Sequence, residues 1–190
     1  MPILGIIASS ISGSVAGGSY ESIATVTVSS AVSTVSFTSI PATYTHLQVR
    51  IIARSSGGSG GTTQATMKVN GITSGYSYHV LVGSGSSVSS EGGGTASFFA
   101  PAPRFANNGA AANIFGGGII DILDYANTNK YKTGRCLSGV DINASGSQLI
   151  LSSAILGSTT SAISSLEFQD QSGDNFVQYS SFALYGIKGA

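Results

Sequence analysis

The amino-acid sequence predicts an all-β fold: a single-domain antiparallel β-sandwich, jelly-roll-like in character. Three observations predict it. Short runs rich in β-branched and aromatic residues follow one another along the chain, each bounded by Gly, Ser, Asn or Pro, as strands and their turns do. Several runs alternate apolar and polar residues, the pattern of a strand with one dry and one wet face. No convincing amphipathic helix longer than two turns interrupts them.

Taken in order, residues 1–20 read as an arm, with Ile3, Leu4, Ile6 and Ile7 as its apolar part and "SGSVAGGS" as a flexible connector. The sandwich domain then occupies 21–190. The first strands are "SIATVTV" (22–28) and "STVSFTSI" (33–40). In "THLQVRIIA" (45–53), Leu47, Val49 and Ile51 share the dry face, while His46, Gln48, Arg50 and, just beyond, Arg54 fall on the wet one. "QATMKVN" (64–70) and "YSYHVLV" (76–82) follow, the latter with Tyr76, Tyr78, Val80 and Val82 on one face. "TASFFA" (95–100), "GGIIDILDY" (117–125), "KTGRCLSGV" (132–140) and "SQLILSSAI" (147–155) continue the series. "AISSLEFQ" (162–169) and "VQYSSFALYGI" (177–187) complete it. "FALYGI" is apolar on both faces, which places that strand centrally or against a neighbouring subunit. Segments 53–64, 82–95 and 100–113 are rich in Gly, Ser, Ala and Asn and read as loops.

Composition bounds the function. Only 8% of the residues are charged and the net charge is zero, against about 25% charged residues in an ordinary soluble domain. No basic stripe is present to displace counterions from phosphates, so no nucleic-acid partner is expected. Zero net charge gives little repulsion between copies, which suits a surface used for packing. Cys136 is the single cysteine, so no intrachain disulfide forms. "MPILGII" lacks a basic n-region and is too short to span a bilayer, so neither export signal nor membrane anchor is expected.

Candidate chemistry is sparse. His46 and His79 occupy polar phases of strands without nearby ligand partners, and read as surface or interface histidines. Asp121 and Asp124 near Asn127 and Asn129, and Asp170 near Asp174, are oxygen-rich turns. Neither carries a full calcium-loop series, and turn chemistry accounts for both. "GGSGG" and "EGGGT" lack the Lys-Ser/Thr of a phosphate loop, and no G-x-S-x-G elbow occurs. No catalytic residue, cofactor or metal is expected.

"SIPATYTHLQVRI", "YSYHVLVGSG" (76–85), "IIDILDYANTNKYKTGRCLSG" (119–139) and "QYSSFALYGIKG" (178–189) together resemble small virion structural proteins of tailed bacteriophages. Many of these belong to phages of cyanobacteria and other aquatic bacteria. The resemblance covers roughly the C-terminal three quarters of the chain. It implies a non-enzymatic virion component with a sandwich or jelly-roll fold, assembled in the host cytoplasm. The expected role is a capsid decoration or cement protein, a homotrimer bound to the major capsid protein. The alternative is a tail fibre or receptor-binding domain whose loops meet host glycans, with Tyr20, Tyr44, Tyr76, Tyr78 and Tyr131 as stacking platforms. A surface-glycan hydrolase is a third reading, for which eight acidic residues give little support. The expected interaction residues are Ile3, Leu4, Ile6 and Ile7 of the arm and His46, Gln48, Arg50 and Arg54 of the wet face.

Overall fold

The computed structural model describes residues 19–99 and 103–189. Ile3, Leu4, Ile6 and Ile7 lie outside the described residues. Twelve strands form: β1 (Tyr20–Thr27), β2 (Thr34–Phe37), β3 (His46–Ala53), β4 (Thr62–Val69), β5 (Tyr76–Ser84) and β6 (Ser87–Ala96), then β7 (Arg104–Ala106), β8 (Gly116–Leu123), β9 (Lys132–Val140), β10 (Gln148–Leu156), β11 (Leu166–Asp170) and β12 (Ser181–Ile187). No helix occurs among the described residues, so none there is long and apolar enough to cross a membrane.

The strands build two antiparallel sheets, one ordered β1-β12-β3-β8-β9-β10-β5-β6 and the other β2-β11-β4-β7. Nested pairs alternate between them: β1 with β12, β2 with β11, β3 with β8, β4 with β7. That nesting is the jelly-roll winding, a long hairpin wrapped on itself. Two further hairpins are spliced in, β5–β6 between β4 and β7, and β9–β10 between β8 and β11. Both extend the same edge, so the first sheet reaches eight strands while the second keeps four.

Three readings of the sequence change here. Segment 82–95 is not a loop but the end of β5, a tight turn at Gly85 (φ 58°) and Ser86, and the edge strand β6. Almost every residue of β6 is exposed, so it has no dry face to write an alternation into the sequence. Segment 100–113 contains the three-residue β7, held by its ladder to β4. Conversely, the strand read at 95–100 reduces to the end of β6 and one bridge, where Phe99 N–H donates to Met67 O at 2.7 Å. The strand placed centrally on the strength of "FALYGI" is β12, which lies between β1 and β3 with Phe182 and Leu184 fully buried.

The inner faces meet around a chain of phenylalanine rings drawn from both sheets and the segment before β12. Phe37 meets Phe168 at 6.3 Å, Phe168 meets Phe182 at 5.6 Å, Phe182 meets Phe176 at 4.9 Å and Phe176 meets Phe105 at 5.7 Å. Phe99 lies directly under β9 and Pro103 under β8. Glycines admit them: a Cβ at Gly134 would stand 2.5 Å from the Phe99 ring, and one at Gly118 2.4 Å from Pro103.

Three solvent-facing carboxylates tie the periphery. Glu21 is held below its ordinary value first by Lys188, then by the Tyr44 hydroxyl. Lys130 lowers Asp124, and the Asn143 N–H with the Ser147 hydroxyl lowers Asp141. A depressed folded-state value stabilises the fold above the unfolded value and ceases to as pH falls through the folded one. The melting temperature is therefore expected to decline once pH drops below 4.5 and 3.8, the unbound values of Glu and Asp. A pH series of thermal melts checks this; a melting temperature that climbs from pH 5 to pH 3 would contradict it.

Candidate functional site

Because side chains alternate along each strand, the eight-stranded sheet sends every second residue outward. Twelve large apolar side chains are exposed among the described residues. Ten of them, Tyr20, Ile52, Leu81, Val88, Ile119, Leu123, Leu137, Leu149, Leu151 and Ile155, lie on this outer face. Among the described residues the second sheet has no comparable patch. Apolar exposure on this scale makes the outer face the candidate site.

Cross-strand pairing arranges the face in rows. One is polar: Tyr185, Gln48, Asp121, Arg135, Ser153 and His79 are paired in sequence from β12 to β5. Beside it runs a ridge of Ile119, Leu137, Leu151 and Leu81. Beyond the ridge runs a trough, where Gly117, Gly139 and Gly83 leave only Leu149 standing between Ile52 and Val88. An open depression of about 580 Å³ lies over Gly83, Gly139 and Leu149. A second, about 640 Å³, opens over the polar row between Gln48 and Leu151.

The β12 to β9 part of the polar row is a network. Gln48 Nε2 donates to Asp121 Oδ1 at 2.8 Å, and Arg135 Nε donates to Asp121 Oδ2 at 3.1 Å. Arg50 Nε donates to Gln48 Oε1 at 2.9 Å, while its guanidinium lies 4.8 Å from the Tyr185 ring centre and 6.0 Å from that of Tyr20. Asp121 is held between Gln48 and Arg135, so this part of the row orders the surface, while His79 at its far end is exposed. His46 Nδ1 accepts the Asp124 N–H at 3.0 Å. Cys136, on the inner side of β9, has its thiol pushed up to about 12, chiefly by burial and to a lesser extent by Asp121. It forms little thiolate at neutral pH.

Of the wet-face residues expected from the sequence, His46, Gln48 and Arg50 do share the outer face of β3. Gln48 is only 7% exposed, covered by its own network. Arg54 departs from them. The chain leaves β3 at Ala53 and crosses toward the second sheet, where Arg54 and Ser55 bridge Ala106 and Phe176, so strand alternation no longer applies. Arg54 is 9% exposed, and its guanidinium donates to the carbonyls of Ala110, Ala111 and Ile114 at 2.9–3.1 Å. It clamps the loop after β7 and is no part of an outer surface.

Tyr76 is likewise a core residue, fully buried, its hydroxyl donating to Ile72 O at 2.9 Å, and offers no stacking platform. Asp170 closes its own turn, accepting the Ser172 N–H at 2.6 Å. Among the described residues, no group of three His, Cys, Asp or Glu side chains is placed to hold a metal. Asp121 and Arg135 were absent from the expected interaction set. They join Gln48 only through ladders between strands distant in sequence.

Comparison with known protein families, curated proteins and solved structures finds no match for this chain.

Proposed function

We propose that the chain is a non-enzymatic structural component of a phage particle, a capsid decoration protein that works as a homo-oligomer and cements the major capsid shell. The observation that carries this reading is the outer face of the large sheet. Ten exposed apolar side chains on one surface favour a chain that spends its life in contact with others. The chemistry of the face favours the same reading: the acid of its polar row, Asp121, is held by Gln48 and Arg135, and the hydrogen bonds around it hold side chains in place. The jelly-roll winding recurs in viral capsid domains and also in lectins, so fold alone does not choose between shell and receptor roles. The resemblance of the four sequence segments to virion proteins favours the particle.

The test is a particle assembled without this chain. Such particles are expected to release their genome at a lower temperature, with adsorption to host cells unchanged. Particles that stay heat-stable but fail to adsorb would replace the cement role with receptor binding by the tail. A chain missing from purified particles would remove both.

A further inference from the structure

We propose that the outer face of the eight-stranded sheet is the contact between two copies of this chain, packed face to face about a two-fold axis. The axis runs parallel to the ridge and the trough, midway between them. This deepens the homo-oligomer part of the function proposed above, and does not depend on where on a particle the chain sits.

The argument starts from β9. From Arg135 onward its outward residues, continued one step past its end, are Arg135, Leu137, Gly139 and Asp141 in order. Both ends of this series are exposed and they carry opposite charges. A two-fold axis between Leu137 and Gly139 lays the series on itself in reverse. Leu137 of each copy then stands over Gly139 of the other, and Arg135 over Asp141. The neighbours repeat the pattern: the same operation sets Ile119 over Gly117 on β8, and Leu81 over Gly83 on β5. Large residues oppose one another on β10, Leu151 and Leu149, and at the β3 margin, where Arg50 falls over Ile52. Two sheets packed this way sit about 10 Å apart with strands within about 30° of one another, the spacing at which large side chains need hollows to enter.

The glycines support the pairing independently. Gly118 and Gly134, on the inner side, are required by neighbours that a Cβ would strike. Gly117, Gly139 and Gly83 are not: a Cβ on any of them would meet nothing nearer than 3.7 Å. Nothing among the described residues asks for glycine there, whereas a partner's side chain would. Area agrees. The apolar stretch crosses six strands from β3 to β6 and about seven residues of each, roughly 29 Å by 23 Å at ~4.8 Å between strands and ~3.3 Å per residue. Two such faces together bury about 1,300 Å², within the roughly 1,200–2,000 Å² of specific, stable contacts. An apolar segment as short as "ILGII" would leave most of that surface uncovered.

Sedimentation equilibrium of the full chain tests the proposal. The parent is expected to associate in pairs at micromolar concentration. Gly139→Leu puts large against large and should raise the dissociation constant at least about 10-fold, the scale of an overpacking cost. The double variant Leu137→Gly/Gly139→Leu exchanges knob and hollow and should recover most of the affinity. Circular dichroism verifies that each variant is folded. Hydroxyl-radical footprinting reads the parent without any variant: labelling of Leu81, Leu137 and Leu151 should fall as concentration rises. A trimer untouched by Gly139→Leu would keep the homo-oligomer and overturn this face. A monomer with these leucines labelled at every concentration would overturn both. Protection that persists on dilution and disappears on deleting residues 2–12 would assign the face to the chain's own N-terminal segment, and overturn the pairing.

Discussion

A Phe182→Ala chain is expected to lose about 3–5 kcal/mol of folding stability, the scale for truncating a buried phenylalanine. Phe182 has no exposed surface and sits at the junction of the ring series, edge-on to Phe176 at 4.9 Å and tilted against Phe168 at 5.6 Å. Removing it vacates the volume of a ring and also ends two aromatic contacts, each worth about 0.5–1.5 kcal/mol beyond the area it buries. Collapse cannot recover much of this. The rings come from β11, from β12 and from the segment before it, and the strands are fixed by their ladders. Urea denaturation of parent and variant gives the difference directly. A loss below about 1 kcal/mol would mean that the sandwich is not organised around these rings.

The second large effect is expected at Arg54. Arg54→Met keeps most of the stem but removes the donors to three loop carbonyls. Hydrogen bonds from a charged donor contribute about 1.5–3 kcal/mol, and buried acceptors left unpartnered cost about 1–3 kcal/mol each. Allowing for water to reach part of the loop, a loss of about 2–4 kcal/mol is expected, with proteolytic cleavage appearing between residues 107 and 115. Arg54→Lys should restore little of it. One ammonium cannot reproduce the planar fork that reaches Ala110, Ala111 and Ile114 together. Full stability in Arg54→Met, measured by the same denaturation, would contradict the clamp.

What could be read in the sequence depended on whether a strand had a buried side. β3 was legible almost to the residue, because Leu47, Val49, Ile51 and Ala53 face inward and are all apolar. β6 was not, since a strand without a dry face leaves only a Gly/Ser composition that mimics a linker. β7 was too short to show a period. The wet face of β3 was legible up to Arg50 and failed at Arg54, where the chain changes sheet. The network around Asp121 was invisible for a different reason. Gln48 and Asp121 are 73 residues apart, and only the nesting of β3 against β8 makes them neighbours.

That nesting also sets an order in time. β12 does not add to an edge; it fills a slot, pairing with β1 on one side and β3 on the other. At about 5–20 residues/s of synthesis, roughly 150 residues separate the emergence of β1 from that of β12, an interval of about 8–30 s. The hairpins β5–β6 and β9–β10 join neighbours in sequence and need only microseconds once made. A nascent chain therefore holds its spliced hairpins long before its frame, with β1 and one flank of β3 unpaired and open to the wrong strand. Arrival of β12 must then complete two ladders in one step. Closure of the sandwich is thus an insertion, governed by long-range loop closure and slow relative to everything that precedes it.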